Sequence, residues 1–262
     1  MILDLEDAVA EDAKAAARDA LVASDLDPRR VIVRVNGAAS EHHAADAAAL
    51  ASTDYRTVML AKAAAPEDLA LVANHDVIAL CETAAGVLAA PAIAAHPAVV
   101  ALMWGAEDLV VSLGGLSSRG SDGAYRDVPR FARSMIVLAA AAAGAAAIDA
   151  VHVDIGDLAG LEAEAVDAAA LGFAASACIH PSQVEVIRKA YRPTGEQLDW
   201  AMELLAIAEG AAGAFTFRGA MVDEPVLRQA RAILRRRPGG AAPAVPSPGV
   251  MLNGKPLDEK KP

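Results

Sequence analysis

Four short apolar runs in this chain end in residues able to do chemistry. VIVRVN (31–36) ends in Arg34, Val35 and Asn36, TVMLAK (57–62) in Lys62, and VIALCE (77–82) in Glu82, while VVALMWG (99–105) is followed by Glu107 and Asp108. Carboxylates from neighbouring runs, with no histidine or cysteine pair at ligand spacing, point to a hard divalent cation bound through oxygen. Mg²⁺ meets that description, since it takes one or two protein carboxylates and keeps its other octahedral positions for water and substrate. Glu82 and Asp108 supply such a pair; on the other reading these acids simply neutralise Arg34 and Lys62 at a polar rim. The opening run, MILDLEDAVA, adds Asp4, Glu6 and Asp7. Strand alternation sets Asp4 and Glu6 on one face and Leu3 and Leu5, facing helices, on the other. Buried carboxylates are costly unless paired or metal-bound, and Arg34 is the expected partner.

Such residues act together only if the fold gathers the ends of the runs. Seven short runs rich in β-branched and apolar residues recur, at 1–7, 31–36, 57–62, 77–82, 99–105, 148–154 and 175–180. Alanine-rich stretches with helical periodicity lie between them, as at 11–24, 42–52 and 160–172. Alternation of this kind predicts βα units on a parallel sheet. In a βα barrel the active site lies at the C-terminal strand ends, where the polar residues above fall. A closed barrel has eight strands. The gap from 105 to 148 reads as an elongated loop and one long helix, so the shortfall is expected at the start of the chain. The expected organisation is a barrel over 1–192, a C-terminal helical extension over 193–237, and a disordered proline- and glycine-rich tail over 238–262.

Composition narrows the function classes. With 55% apolar and 22% charged residues, the 262-residue chain can bury a large core. A formal charge of -11 gives no footprint for nucleic acid or for an anionic membrane surface. The alanine-rich window 137–148 is too short to span a bilayer, and no stretch has the layout of a signal peptide. Cys81 and Cys178 both lie in apolar runs and are expected as buried free thiols, in keeping with a cytoplasmic location.

LDLEDAV (3–9), VRVN (33–36), LCETAAG (80–86), WGAEDL (104–109), CIHPSQV (178–184) and GAMVDEPVLRQA (219–230) follow one another in register. Together they resemble the successive motifs of the citrate lyase β-subunit (CitE-like) group of the HpcH/HpaI aldolase family, in its acyl-CoA lyase branch. The resemblance runs from residue 1 to about 236. It implies a TIM-type (β/α)8 barrel, here without its first βα unit, followed by a helical extension. It also implies an Mg²⁺-dependent carbon–carbon lyase, with Mn²⁺ as an alternative metal, cleaving a 3-hydroxyacyl thioester of the citryl-, malyl- or citramalyl-CoA type to an acetyl thioester and a 2-oxoacid. Carried onto this sequence, Glu82 and Asp108 would be the metal ligands. Arg34 would hold the oxoacid and stabilise the enolate oxygen, Gly105, Ala106 and Glu107 would join it in substrate binding, and Glu6, Asp7 and Lys62 would support these groups. Asp223 would act as acid and base from a neighbouring subunit of a homotrimer or hexamer. Two other readings stand beside this one: a metal-dependent aldolase acting on free 4-hydroxy-2-oxo acids, and a catalytically silent, truncated relative.

The sequence departs from the family at two points. Ala84 stands where a proline is usual after the Glu-Thr pair, and the strand and proline-glycine loop that usually precede LDLEDAV have no counterpart. An open seven-stranded barrel would expose unpaired edges and apolar helix faces, so an upstream start is expected in place of Met1. Several residues have a plain structural reading. His180 is expected to be fixed by the Pro181 turn, His152 to lie mid-strand, and Tyr191 and Trp200 to pack helices. Asp223 ahead of Pro225 makes a good helix N-cap. The glycine-rich stretch SLGGLSSRGSDG reads as a mobile loop, with Arg119 a candidate for anionic substrate groups.

Overall fold

Seven strands form one parallel sheet in strict chain order, β1 (Ile2–Asp4), β2 (Ile32–Val35), β3 (Thr57–Leu60), β4 (Asp76–Cys81), β5 (Val99–Trp104), β6 (Ala146–Asp149) and β7 (Ala175–Ser176). The structure is a computed structural model and describes residues 1–211, 213–237 and the two-residue strands Met251–Leu252 and Lys255–Pro256. The tail expected to be disordered otherwise lies outside the described residues. Consecutive parallel strands joined by helical crossovers make the TIM-type architecture. Among the described residues no helix is long and apolar enough to cross a membrane.

Alternation along the strands builds two apolar layers. Val33, Val35, Val58, Leu60, Val77, Ala79 and Leu102 point one way and are completely buried. On the opposite face Met59, Ile78, Leu80, Ala101 and Met103 pack together with Ile32 and Ile148. Arg34 shares the face of Ile32, and Glu82 that of Ile78 and Leu80, so both polar groups stand at the C-terminal rim of this second layer. Asp4 is the register partner of Arg34 and joins them.

The helices that matter for the site are α1 (Lys14–Val22), α2 (His43–Leu50), α3 (Ala84–Ala94), α4 (Ala106–Ser112) and α5 (Asp127–Ala143). α4 lies where the sequence reading expected a loop; it opens directly after Gly105 and closes before Gly114, whose φ is +68°. β6 also differs from the expected 148–154. Gly144 ends α5 in the left-handed conformation at φ 72°, the alanines after it enter the sheet, and His152 therefore lies beyond the strand rather than within it. Cys178 is exposed because β7 stops at Ser176, which takes residue 178 out of the sheet; Cys81 is buried as expected.

Up to Arg237 the described residues divide into two compact units, Met1–Val151 with Leu171–Ala177, and His152–Ala170 with Cys178–Arg237. The second contains α6 (Leu158–Leu171) up to Ala170, α7 (Pro181–Ala190), α8 (Gly195–Ala208), the hairpin β8 (Phe215–Phe217) and β9 (Ala220–Val222), and α9 (Glu224–Arg235). Within it Tyr191 packs beside Leu161 and Ile187, and Trp200 beside Leu204 and Phe217. His180 caps α7 by accepting the amide of Ser182 at 3.2 Å.

Candidate active site

Five adjacent strand ends, β1 to β5, bring together most of the residues singled out by the sequence. Arg34 donates through Nε and Nη2 to the two carboxylate oxygens of Asp4, at 2.7 and 2.5 Å, a fork that fixes the guanidinium plane. Its Nη1 lies 3.4 Å from Glu6, which is 2% exposed. Lys62 donates through Nζ to Glu6 and, at 2.9 Å, to Asp7. Burial opposes ionisation of Asp4, yet the Arg34 guanidinium and the amides of Glu6 and Ala8 hold its carboxyl below the usual range. The same contact with Asp4 raises Arg34 further above its ordinary value against the cost of burial.

Glu82 follows β4 directly and is 3% exposed. Burial first, then the negative charges of Asp108 and Glu6, push its carboxyl up to about 8, against the Lys62 amide and ammonium, which favour ionisation. Asp108 lies in the first turn of α4, where the helix N-terminus favours negative charge. Gly105 lets this turn approach Glu82: a Cβ there would sit 2.8 Å from Glu82 Oε2 and 3.1 Å from Glu82 Cβ. Two acids placed close enough for one to suppress the ionisation of the other, with only oxygen donors, fit a divalent cation, whose charge would reverse that suppression.

The structure also gives the contacts of other expected residues. The Glu107 carboxylate accepts Ser118 Oγ at 2.6 Å and so ties α4 to the glycine-rich loop. Arg119 lies over the Tyr125 ring, 3.8 Å from its centroid, and donates to the Gly123 carbonyl within the loop's own turn. Asp223 occupies the N-cap position of α9 in the second compact unit, and its carboxylate makes no capping hydrogen bond. Ala84, the departure from the family's proline, uses its amide: it donates to Ser112 Oγ at 3.1 Å and joins the start of α3 to the end of α4, a bond closed to proline.

The sequence reading missed a buried polar group beneath the site. Lys14 Nζ donates to the carbonyls of Leu5 and Glu6, each at 2.9 Å, and to Asn36 Oδ1 at 3.1 Å. Asn36 Nδ2 donates in turn to Leu5 O at 2.7 Å and to Asp46 at 2.6 Å. Asp46, fully buried, pairs with Arg18 at 3.1 Å.

Residues 1–181 match the family model described as HpcH/HpaI aldolase/citrate lyase. The chain belongs to this family. Among its HpcH/HpaI relatives is a citrate lyase subunit beta-like protein of Mycobacterium tuberculosis, 56% identical over 236 residues that cover 90% of this chain and 86% of that one. The human mitochondrial citramalyl-CoA lyase is 33% identical over 263 residues, covering 88% of this chain and 76% of the enzyme. A crystal structure of CitE from M. tuberculosis with magnesium, acetoacetate and coenzyme A superposes with a TM-score of 0.87 at 56% identity, covering 90% of this chain and 88% of that one. The family assignment thus agrees with the TIM-type sheet and with the resemblance carried by the motifs.

Proposed function

We propose that this HpcH/HpaI family member is an Mg²⁺-dependent CoA-ester lyase that cleaves a 3-hydroxyacyl thioester to an acetyl thioester and a 2-oxoacid. The observation that carries the reading is the buried Glu82 at the end of β4, with the Gly105 turn and the start of α4, which bears Asp108, held close against it. Glu82 and Asp108 would hold the metal. Mg²⁺ bound there supplies Lewis-acid polarisation of the oxoacid oxygen. Relatives support both points: one was crystallised with magnesium and coenzyme A, and another is a citramalyl-CoA lyase.

The chain's own residues do the rest. Arg34, charged throughout the working pH range, donates to the oxygen on which negative charge develops, and Asp4 and Glu6 hold the guanidinium in place for it. Gly105, Ala106 and Glu107 form the turn against which substrate lies, and Glu6, Asp7 and Lys62 keep the rim fixed. Asp223 of a neighbouring copy takes the hydroxyl proton as the carbon–carbon bond breaks, the bonding pair passes into the thioester enolate, and a proton returned to that carbon gives the acetyl thioester. This placement requires an oligomer, for which the resemblance implies a homotrimer or hexamer, and we assign the protein to the cytoplasm.

The test incubates purified protein with citryl-, malyl- and citramalyl-CoA, and separately with 4-hydroxy-2-oxo acids, while free oxoacid is followed. Release from a thioester that needs Mg²⁺ and disappears in Glu82→Ala and Asp108→Ala is the expected result. Cleavage restricted to the free acids, or activity that survives both substitutions, would overturn the reading.

A further inference from the structure

Lys14 is 7% exposed, an unusual place for an ammonium group, and its three contacts are all to neutral acceptors. Three donors meet three acceptors, so the charge is fully satisfied without a directly paired carboxylate. The position of those acceptors is informative. β1 ends at Asp4, and the amide of Leu5 makes the last ladder bond, to the Arg34 carbonyl at 2.9 Å. Beyond it the sheet no longer guides the chain, and the carbonyls of Leu5 and Glu6 are held by Lys14, with Asn36 adding a second bond to Leu5. Asn36 is itself locked by Asp46, which takes both its side-chain and main-chain N–H groups.

The Glu6 side chain that leaves this clamped segment is the one that reaches Arg34 and Lys62. We propose that Lys14 is a positioning residue of the lyase site, fixing the main chain at Leu5 and Glu6 so that the Glu6 carboxylate orients Arg34 and Lys62. The inference rests on the lyase reading, in which Arg34 receives the 2-oxoacid. The clamp is built from α1, the ends of β1 and β2, and Asp46 of α2, and Lys14 itself touches no reacting group.

Lys14→Met keeps length and removes every donor. Leu21→Ala, on the same helix and equally buried, provides a comparable loss of packing away from Glu6. Pyruvate in saturating Mg²⁺ is titrated calorimetrically into wild type and both variants, with melting temperatures recorded for each. The expected result is about ten- to a hundredfold weaker pyruvate binding in K14M, the range set by loss of a residue that orients a ligand-holding group, and wild-type affinity in L21A. K14M with wild-type affinity, or L21A with the same loss, would overturn the inference. Should K14M fail to fold, Lys14→Arg keeps the charge without three donors about one point; weakened binding supports the clamp and wild-type binding removes it. A wild-type protein that binds none of pyruvate, oxaloacetate and glyoxylate with Mg²⁺ refutes the lyase reading itself, a result recognisable before any variant is examined, and where pyruvate is not bound the oxoacid that is bound takes its place in the titrations.

Discussion

The main-chain amide of Lys62 donates to Glu82 Oε1 at 3.1 Å from a residue whose φ is 52°. Left-handed backbone is costly for a residue with a Cβ, and here it turns one N–H to the acid after β4 while the ammonium reaches Glu6 and Asp7. Lys62 therefore links the β1 acids to Glu82 through two different parts of itself. Lys62→Gly and Lys62→Ala both delete the ammonium, but only alanine retains the backbone penalty, about 1 kcal/mol. The glycine variant is expected to melt about 2–4 °C above the alanine variant. Equal melting temperatures in the two would show that residue 62 carries no such penalty.

The raised carboxyl of Glu82 makes stability depend on pH in a defined direction. Below its ordinary value of 4.5 the group is protonated in folded and unfolded chain alike; between there and about 8 the unfolded chain ionises while the folded one resists. The stabilising contribution is thus complete at low pH and lost as pH rises through 8. With EDTA present, the melting temperature of Glu82→Gln should fall less than that of wild type between pH 5 and 8. Mg²⁺ should raise wild-type stability most at pH 8 and leave Glu82→Gln unmoved. Parallel melting curves for the two proteins would contradict the assignment of that carboxylate.

Gly105 is a test of spacing rather than charge. The Glu82 carboxylate could swing away from an added methyl, but Glu82 Cβ, 3.1 Å from the position of a new Cβ, is fixed to the backbone. Gly105→Ala must therefore shift either the start of α4, with Asp108, or the end of β4. Mg²⁺ affinity and turnover are expected to fall by about tenfold or more. Full activity in this variant would show that the turn has slack the geometry does not suggest.

On the helix-facing side of the same sheet, Asp149 accepts Trp104 Nε1 at 2.7 Å and pairs with Arg133 at 2.8 Å. Removing Asp149 deprives both the Arg133 guanidinium and the Trp104 indole N–H of a buried acceptor, so Asp149→Ala should cost about 3 kcal/mol. Thermal melting should fall by roughly 6–12 °C, while turnover per folded molecule at low temperature stays near wild type. A catalytic defect without thermal loss would mean that Asp149 serves the site instead.

The strand ends were legible because apolar β-branched runs stop at a single polar residue, as at Arg34, Lys62 and Glu82, and a parallel sheet aligns such stops. β6 was misplaced because its first residues, Ala146 and Ala147, carry the signature of a helix; only the left-handed Gly144 divides them from α5. α4 escaped notice because seven residues give hardly two turns of periodicity and its N-cap, Gly105, makes no side-chain bond. Lys14 was least legible. In EDAKAAARDA it reads as a solvated lysine on an alanine helix, and its burial follows from carbonyls at residues 5 and 6 that no local pattern announces.

Asp223 leads α9 at φ -135°, with Pro225 in the first turn, and makes no capping hydrogen bond. Pro225 favours the helix start without a side-chain cap, so the carboxylate is spared for other work. Were Asp223 acting as a cap, alanine would cost about 1 kcal/mol and leave turnover intact. We expect the reverse: Asp223→Ala melts like wild type, binds Mg²⁺ and pyruvate normally, and fails to turn over. Mixing it with Arg34→Ala under conditions that exchange subunits should restore activity, because some sites then combine an intact Arg34 from one copy with an intact Asp223 from its neighbour. No recovery despite demonstrated exchange would place both residues in one subunit's site.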